Sequence, residues 1–213
     1  MKKRFLLVLP IAALFASCGN INTGGAMDMS ATLTGSEVAV NVVNVYKANT
    51  DGSKGAYINS RVRSFTLTQP RLDVAVRPAS LGFTASKVTV KYTDASGNAF
   101  GDTASTFTNA VAFAVPKGYN CSVSGACDTS NVNPVPQTFQ QSQLYVISDA
   151  IAVTAARSCV DGSYAVASGY VCPEVRMNAV FSGKTSANTD NTLTASPAQI
   201  WVHVASVTDE VVK

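Results

Sequence analysis

The segment KVTVKYTDASGNAF, residues 87–100, carries the clearest indication of the fold. In its first half, apolar and polar side chains alternate, so that Val88, Val90 and Tyr92 share one face of a strand. The next five residues, DASGN at 94–98, are of the types that favour tight turns. The pattern therefore predicts a strand, a turn and a second strand.

The same alternation recurs along the chain from about residue 31, between short turn signals such as Asp51-Gly52 and Ser182-Gly183. Further alternating runs lie at residues 38–43, 61–67, 72–77, 107–115, 145–153, 175–181 and 200–205. No segment shows a convincing helical stripe with capping residues. Eight or so strands predict an all-β fold, a single antiparallel β-sandwich over residues 31–213 with disulfide-braced loops.

Composition supports this fold class. The chain has 28 valines but 10 leucines, and 14% of its residues are charged. A Val- and Thr-rich chain that is poor in Leu, Glu and Lys favours strands and excludes coiled coils, helical bundles and long disordered tails. The segment KVTVKYTDASGNAF also resembles the strand–turn–strand segments of bacterial immunoglobulin-like domains, which implies an immunoglobulin-like sandwich.

The N-terminus has the features of a targeting signal. Residues 2–4 are basic, residues 5–15 are largely apolar, and small residues at 16–17 precede Cys18. This segment resembles the signal peptide of a bacterial lipoprotein. The resemblance implies cleavage of residues 1–17 and a lipid, including palmitate, on Cys18.

The lipoprotein interpretation predicts a membrane anchor and a location. Residues 18–30 would then be a flexible tether. Gly19 stands where Asp causes inner-membrane retention in lipoproteins of double-membraned bacteria, so the resemblance implies the outer membrane or the cell surface. An ordinary secretory signal with a chance cysteine is the alternative, whereas the apolar run is far shorter than the ~20 residues of a membrane-spanning helix.

Removal of the signal changes the charge of the chain. Three of the 16 basic residues lie in residues 2–4, which leaves 13 basic against 13 acidic residues. No basic stripe remains, so nucleic acid is not an expected partner.

The cysteine count fits an oxidising compartment. With Cys18 assigned to lipid, Cys121, Cys127, Cys159 and Cys172 remain, an even number that predicts two disulfides. Of three possible connectivities, we favour the local pairs Cys121–Cys127 and Cys159–Cys172, since each pair encloses a Gly- and Ser-containing segment. The spacing does not match a zinc site, and no metal or cofactor is expected.

The long segment 116–142 contains three prolines and almost no alternation. Such segments are often functional loops, although a surface loop covering one end of the sandwich is the simpler interpretation. The two cysteine loops carry aromatic and amide side chains among Ser, Gly and Asn, a mixture typical of adaptable recognition surfaces. The candidate binding residues are Tyr119, Asn120, Phe139, Tyr164 and Tyr170.

Motifs for catalysis are weak. His203, the only histidine, lies in an apolar strand pattern and is interpreted as a half-buried structural residue. The carboxylates are scattered, mostly in turns, and no phosphate-binding loop is present. A calcium site built from Asp94, Asn98 and Asp102 is conceivable, although turn residues of these types need no metal.

Three hypotheses for function follow. The first is a lipid-anchored, non-enzymatic protein of the bacterial cell envelope that binds a protein or glycan partner or serves as an accessory of a surface assembly. The second is an envelope-glycan enzyme with two converging carboxylates. The third is a carbohydrate-binding module, which would present exposed aromatic rings on one face.

Overall fold

The computed structural model describes residues 26–77, 80–118, 137–142, 144–161 and 169–213. Strands dominate this part of the chain, together with one α-helix, α1 (Asp149–Ser158), and a short 3₁₀ turn (Asp102–Ser105). The strands are β1 (Met29–Thr34), β2 (Glu37–Ala48), β3 (Lys54–Thr68), β4 (Arg71–Val76), β5 (Phe83–Thr93), β6 (Thr106–Val115), β7 (Gln137–Gln141), β8 (Val175–Thr185), β9 (Asp190–Ser196) and β10 (Ala198–Val212).

All ten strands belong to one mixed sheet. Their order is β3-β2-β10-β8-β9-β1-β4-β7, and β5 joins this path by pairing with β8 and β6. Most neighbours are antiparallel, but β10 pairs parallel to β2 and β1 pairs parallel to β9. The all-β prediction is therefore confirmed, whereas the prediction of an antiparallel sheet throughout is wrong.

Two strands change partners along their length. Residues 198–200 of β10 pair with β8, and from Trp201 onward β10 pairs with β2. In the same way β9 pairs with β8 up to Thr194 and then with β1. Strands that switch partners turn the corners of folded sheets.

The core draws on nearly every element of the sheet. Alternation places Val38, Val40 and Val42 of β2 in one buried cluster with Leu72 and Val74 of β4. Phe83, Val88, Val90 and Tyr92 of β5, and Met177 and Phe181 of β8, complete the centre of this cluster. Each side chain of this size contributes about 1.5–3 kcal/mol on full burial.

The prediction of a strand over residues 145–153 is wrong, because helix α1 begins at Asp149. Ser148 caps its N-terminus, since its Oγ accepts the Ile151 N–H at 3.4 Å. The segment DAIAVTAARS is rich in alanine, the strongest helix former. Its buried face is made by Ile151, Ala152, Ala155 and Ala156. This face was missed because small alanines form most of the stripe.

The other seven alternating runs are confirmed as strands. Three strands were not predicted: β1, β7 and β9. β7 occupies the end of the segment 116–142, which was expected to lack regular structure, while residues 119–136 lie outside the described part. Met27 and Met29, which lie in the segment assigned to the tether, pack against the core.

A disulfide joins Cys159 to Cys172, so this local pair is confirmed. Cys159 follows α1 directly, and Cys172 lies in the segment that leads into β8. The bridge therefore joins a helix end to a strand entry, whereas the sequence suggested that it joined two strands. Cys121 and Cys127 lie outside the described residues.

Candidate functional site

Most of the predicted binding and modification residues lie in parts of the chain that the structure does not describe. Cys18 and three of the candidate binding residues lie outside the described residues: Tyr119, Asn120 and Tyr164. Phe139 and Tyr170 are described, and both are half-buried against the core.

Phe139 and Tyr170 lie in different parts of the sheet. Phe139 stands on β7 and stacks on Phe113, with ring centroids 6.2 Å apart. The Tyr170 hydroxyl donates to Asn44 on β2 and lies 3.1 Å from the Ser60 hydroxyl on β3. β7 and β3 are the two ends of the strand order, and the two side chains contact different elements of the sheet.

Tyr170 belongs to a hydrogen-bond network within the protein. Asn44, 4% exposed, accepts hydrogen bonds at its side-chain oxygen from Tyr170 and Ser60, and its amide nitrogen donates to Asp209 at 3.3 Å. Lys54 donates to Asp209 at 2.5 Å and holds the pKa of that carboxyl below its usual value. The network connects β2, β3, β10 and the segment before β8.

A different surface combines exposure with order. We call it the outer face: the solvent side of the three strands β3, β2 and β10. Val38, Val40 and Val42 point into the core, so Glu37, Ala39 and Asn41 of β2 point outward. The pairing register then sets Trp201, His203 and Ser206 of β10 beside them, and Thr68, Thr66 and Ser64 of β3 on their other side.

Trp201 is the most exposed aromatic side chain of the described residues, at 59%. Its indole stacks on the imidazole of His203, with ring centroids 3.9 Å apart and planes inclined by 18°. The His203 Nε2 lies 3.5 Å from a Glu37 carboxylate oxygen. One face of the indole is therefore covered by His203, and the exposed area belongs to its other face and edges.

His203 is half-buried, as the sequence predicted. Its Nδ1 is buried and has no hydrogen-bond partner within the described part of the chain. The imidazole is thus positioned by Trp201 and Glu37. His203 therefore supports the exposed ring of Trp201 from one side.

The middle of the outer face is a row of hydrogen-bonding side chains. Ser206 on β10 donates to the Asn41 oxygen at 2.6 Å, and the Asn41 nitrogen donates to Ser64 on β3 at 3.0 Å. The row crosses all three strands and remains exposed. These bonds fix the directions of a carboxamide and two hydroxyl groups before any ligand arrives.

The far end of the outer face carries an ion pair. Arg61 on β3 binds Glu210 on β10 at 2.5 Å, across the intervening β2 strand. A depression of about 540 Å³ lies beside it, lined in part by Val43 and Thr208. Arg63 also lines this depression and is exposed, so one basic side chain lies beside the ion pair.

The three residues of the conceivable calcium site take part in the turn structure after β5. The Asp94 carboxylate accepts the backbone N–H groups of Ser96 and Asn98, each at 2.9 Å, and the Asn98 side chain. Hydrogen bonds from Asn98, and then from Ser96, lower the Asp94 pKa. Asp102 begins the 3₁₀ turn. Within the described ranges, no three His, Cys, Asp or Glu side chains are grouped as metal ligands.

The sequence contains one signal for the outer face. Trp201 and His203 are the only tryptophan and the only histidine of the chain, and they stand two residues apart in an alternating strand. That spacing places both on one face. The position of Glu37 could not be read in this way, because strand pairing brings it there from far away in the sequence.

No protein-family model, curated protein or solved structure matches this chain. Among the residues that the structure describes, no helix has the length and apolar character needed to span a bilayer. The functional interpretation therefore depends on the geometry of the chain itself.

Proposed function

We propose that this chain is a non-enzymatic binding module of a bacterial cell envelope, anchored on the extracytoplasmic side by lipid on Cys18, and that the outer face is its binding surface. The observation that carries the proposal is the stack of Trp201 on His203. The indole is 59% exposed, and exposed tryptophan rings are enriched where proteins bind partners.

The anchor rests on the N-terminal sequence. Basic residues 2–4, an apolar segment and small residues before Cys18 support the lipoprotein interpretation. The single disulfide described, Cys159–Cys172, fits an oxidising compartment outside the cytoplasm. Gly19 supports sorting to the outer membrane or the cell surface.

The proposal includes a two-layer, sandwich-like packing of the sheet. Its support is that β9 and β10 each pass from one part of the sheet to another, and that one core takes side chains from β2, β4, β5 and β8. A single layer could not enclose such a core.

A binding role is preferred to carboxylate catalysis because several described carboxylates are already engaged. Asp209 binds Lys54, Glu210 binds Arg61, and Glu37 faces His203. Glu174 binds Arg176, and Asp73 binds Arg71. A glycosidase needs one such group free to transfer a proton and another free to act on the substrate.

Cross-linking on intact cells tests the proposal. The wild-type chain is expected to capture a defined envelope component, and the Trp201→Ala variant should capture at least fivefold less at equal surface abundance. Tyr145→Ala is the matched control, because Tyr145 is also exposed, at 43%, but packs against Phe107 of β6, away from the outer face. Equal capture by wild type and Trp201→Ala would contradict the assigned surface.

A further inference from the structure

We infer that the outer face binds a neutral polysaccharide, with one sugar ring stacked on Trp201 and the following units lying along the strands toward Arg61 and Glu210. This inference rests on the proposed function and names the ligand class of the same surface.

The first argument is the chemistry of the exposed indole. The face of an aromatic ring carries partial negative charge, and the C–H groups of a pyranose ring present partial positive charge on a flat apolar side. His203 supports the opposite side of the indole at 3.9 Å. A ring that is already held in place loses little conformational freedom when a ligand stacks on it.

The second argument is the row Ser206–Asn41–Ser64. A sugar presents hydroxyl groups that both donate and accept, so it needs partners of both kinds at fixed positions. Asn41 and the two serines supply a carbonyl, an amide nitrogen and two hydroxyl groups on one row. Successive outward rows of a strand are separated by about 6.6 Å, so this row lies next to the Trp201–His203 stack.

The third argument is the length of the face. From Trp201 to Glu210, β10 pairs with Glu37 to Val45 of β2, with one irregularity between Val204 and Ser206. The eight residue steps along β2 span roughly 26 Å, which is longer than a single sugar and suits an extended chain. The depression next to Arg61 and Glu210 continues the surface at that end.

The fourth argument is the charge of the face. Glu210 is paired with Arg61, and Glu37 faces His203, while Arg63 beside the depression is exposed and has no ion pair among the described residues. An anionic glycan gains most from several unpaired basic side chains that can contact its acidic groups. One exposed arginine is not such a cluster, so the face favours a ligand that is recognised by stacking and hydrogen bonds.

The chain offers a direct probe, because Trp201 is its only tryptophan and all tryptophan emission comes from this site. The full chain in detergent is titrated with dextran, mannan, a soluble β-glucan and xylan, and with polygalacturonate as the anionic comparison. At least one neutral polysaccharide is expected to shift the emission to shorter wavelength and to protect the indole from acrylamide quenching.

Affinity electrophoresis in gels containing the same polysaccharide then tests the residues. Trp201→Ala should weaken binding roughly tenfold or more, as for an aromatic anchor, and Trp201→Phe should retain part of the affinity. Asn41→Ala should weaken binding severalfold, while Tyr145→Ala should bind as wild type does. Circular dichroism establishes that each variant is folded.

Three results would overturn the inference: no spectral change with any neutral polysaccharide, equal binding by wild type and Trp201→Ala, or binding of polygalacturonate alone. If the glycans fail while cross-linking on cells still depends on Trp201, the ligand of this face is a protein. The proposed function then stands without the glycan. If cross-linking is also independent of Trp201, both the glycan inference and the proposed binding role of the outer face are wrong.

Discussion

The side-chain amide of Gln69 makes two hydrogen bonds to the backbone of Ile147, one as acceptor and one as donor. Its oxygen accepts the Ile147 N–H at 2.9 Å, and its nitrogen donates to the Ile147 carbonyl at 2.7 Å. The same oxygen accepts the Val146 N–H at 3.0 Å. Gln69 thus supplies the hydrogen bonds that a neighbouring strand would otherwise make to the backbone of the segment leading into α1.

Replacing Gln69 by leucine should lower the free energy of unfolding by about 3 kcal/mol, because the buried N–H and carbonyl of Ile147 lose their partner, while the Val146 N–H keeps its hydrogen bond to the Leu144 carbonyl. Urea unfolding measures the loss. Gln140→Leu, on the exposed side of β7, is the control and should change stability by about 0.5 kcal/mol or less. A loss below about 1 kcal/mol for Gln69→Leu would show that the segment finds other partners.

Tyr92 makes the stability of the chain sensitive to alkaline pH. Burial raises the pKa of its hydroxyl to about 12, and this hydroxyl donates to the Val146 carbonyl and accepts the Ser148 N–H at 3.3 Å. Above pH 10 the unfolded chain releases this proton while the folded chain keeps it. The contribution is therefore present below pH 10 and is lost as the pH rises toward 12.

Tyr92→Phe isolates this effect. At pH 8 the variant should be less stable than wild type by about 1–2 kcal/mol, because the buried hydrogen bonds are lost. At pH 11 the difference should shrink by about 1.4 kcal/mol, the value of one pKa unit, since only the wild type carries this titrating group. Urea unfolding at both pH values measures the difference in unfolding free energy between wild type and Tyr92→Phe. A difference that does not change with pH would contradict the raised pKa of Tyr92.

Removal of the Cys159–Cys172 disulfide should destabilise the fold by about 3 kcal/mol, the loop-closure entropy for a bridge across 13 residues. The Cys159→Ala/Cys172→Ala variant is compared with wild type by urea unfolding without reductant. Cys121→Ser/Cys127→Ser is the control: it should stay folded and lose less stability, because its loop is shorter.

Peptide mapping of the unreduced protein tests the connectivity. Fragments containing Cys159 and Cys172 should be joined, and Cys121 should be joined to Cys127. A link from Cys121 to Cys159 or Cys172 would be incompatible with two local braces.

Cys18 is expected to carry the lipid. Alkyne-labelled palmitate should enter the wild-type chain in a bacterial host and should be absent from Cys18→Ser, which should leave the membrane fraction. Two attached chains give stable anchoring, whereas one is marginal. Label and membrane association that persist in Cys18→Ser would contradict the lipoprotein interpretation.

Much of the sheet could be predicted because a strand with one buried face leaves a period of two in the sequence. Val38, Val40 and Val42 show this, and so do the apolar residues of β4, β5 and β8. The parallel pairing of β2 with β10 could not be predicted, because alternation is the same for parallel and antiparallel neighbours. The Cys159–Cys172 pair could be favoured because it encloses a Gly- and Ser-containing segment, although the cysteine count alone allows three connectivities.

The site was harder to predict than the fold. Spacing alone places Trp201 and His203 on one face, but Glu37, Asn41 and Ser64 reach them only through strand register. Helix α1 was missed because its core face depends on three alanines, which carry a weak apolar signal in any period. Phe139 and Tyr170 were selected for composition, and both rings pack back against the core.

The pairing of β2 with two very different neighbours has a consequence for assembly of the chain. β3 follows β2 directly, so these strands can form a hairpin early, but Asn44 and its partner Asp209 on β10 are 165 residues apart. Contacts of such separation form late and slowly. Until β10 arrives, the valine-rich second edge of β2 is an open template for other chains. A chaperone that shields this edge during synthesis and transit would therefore govern the yield of folded protein more than the stability of the finished sheet does.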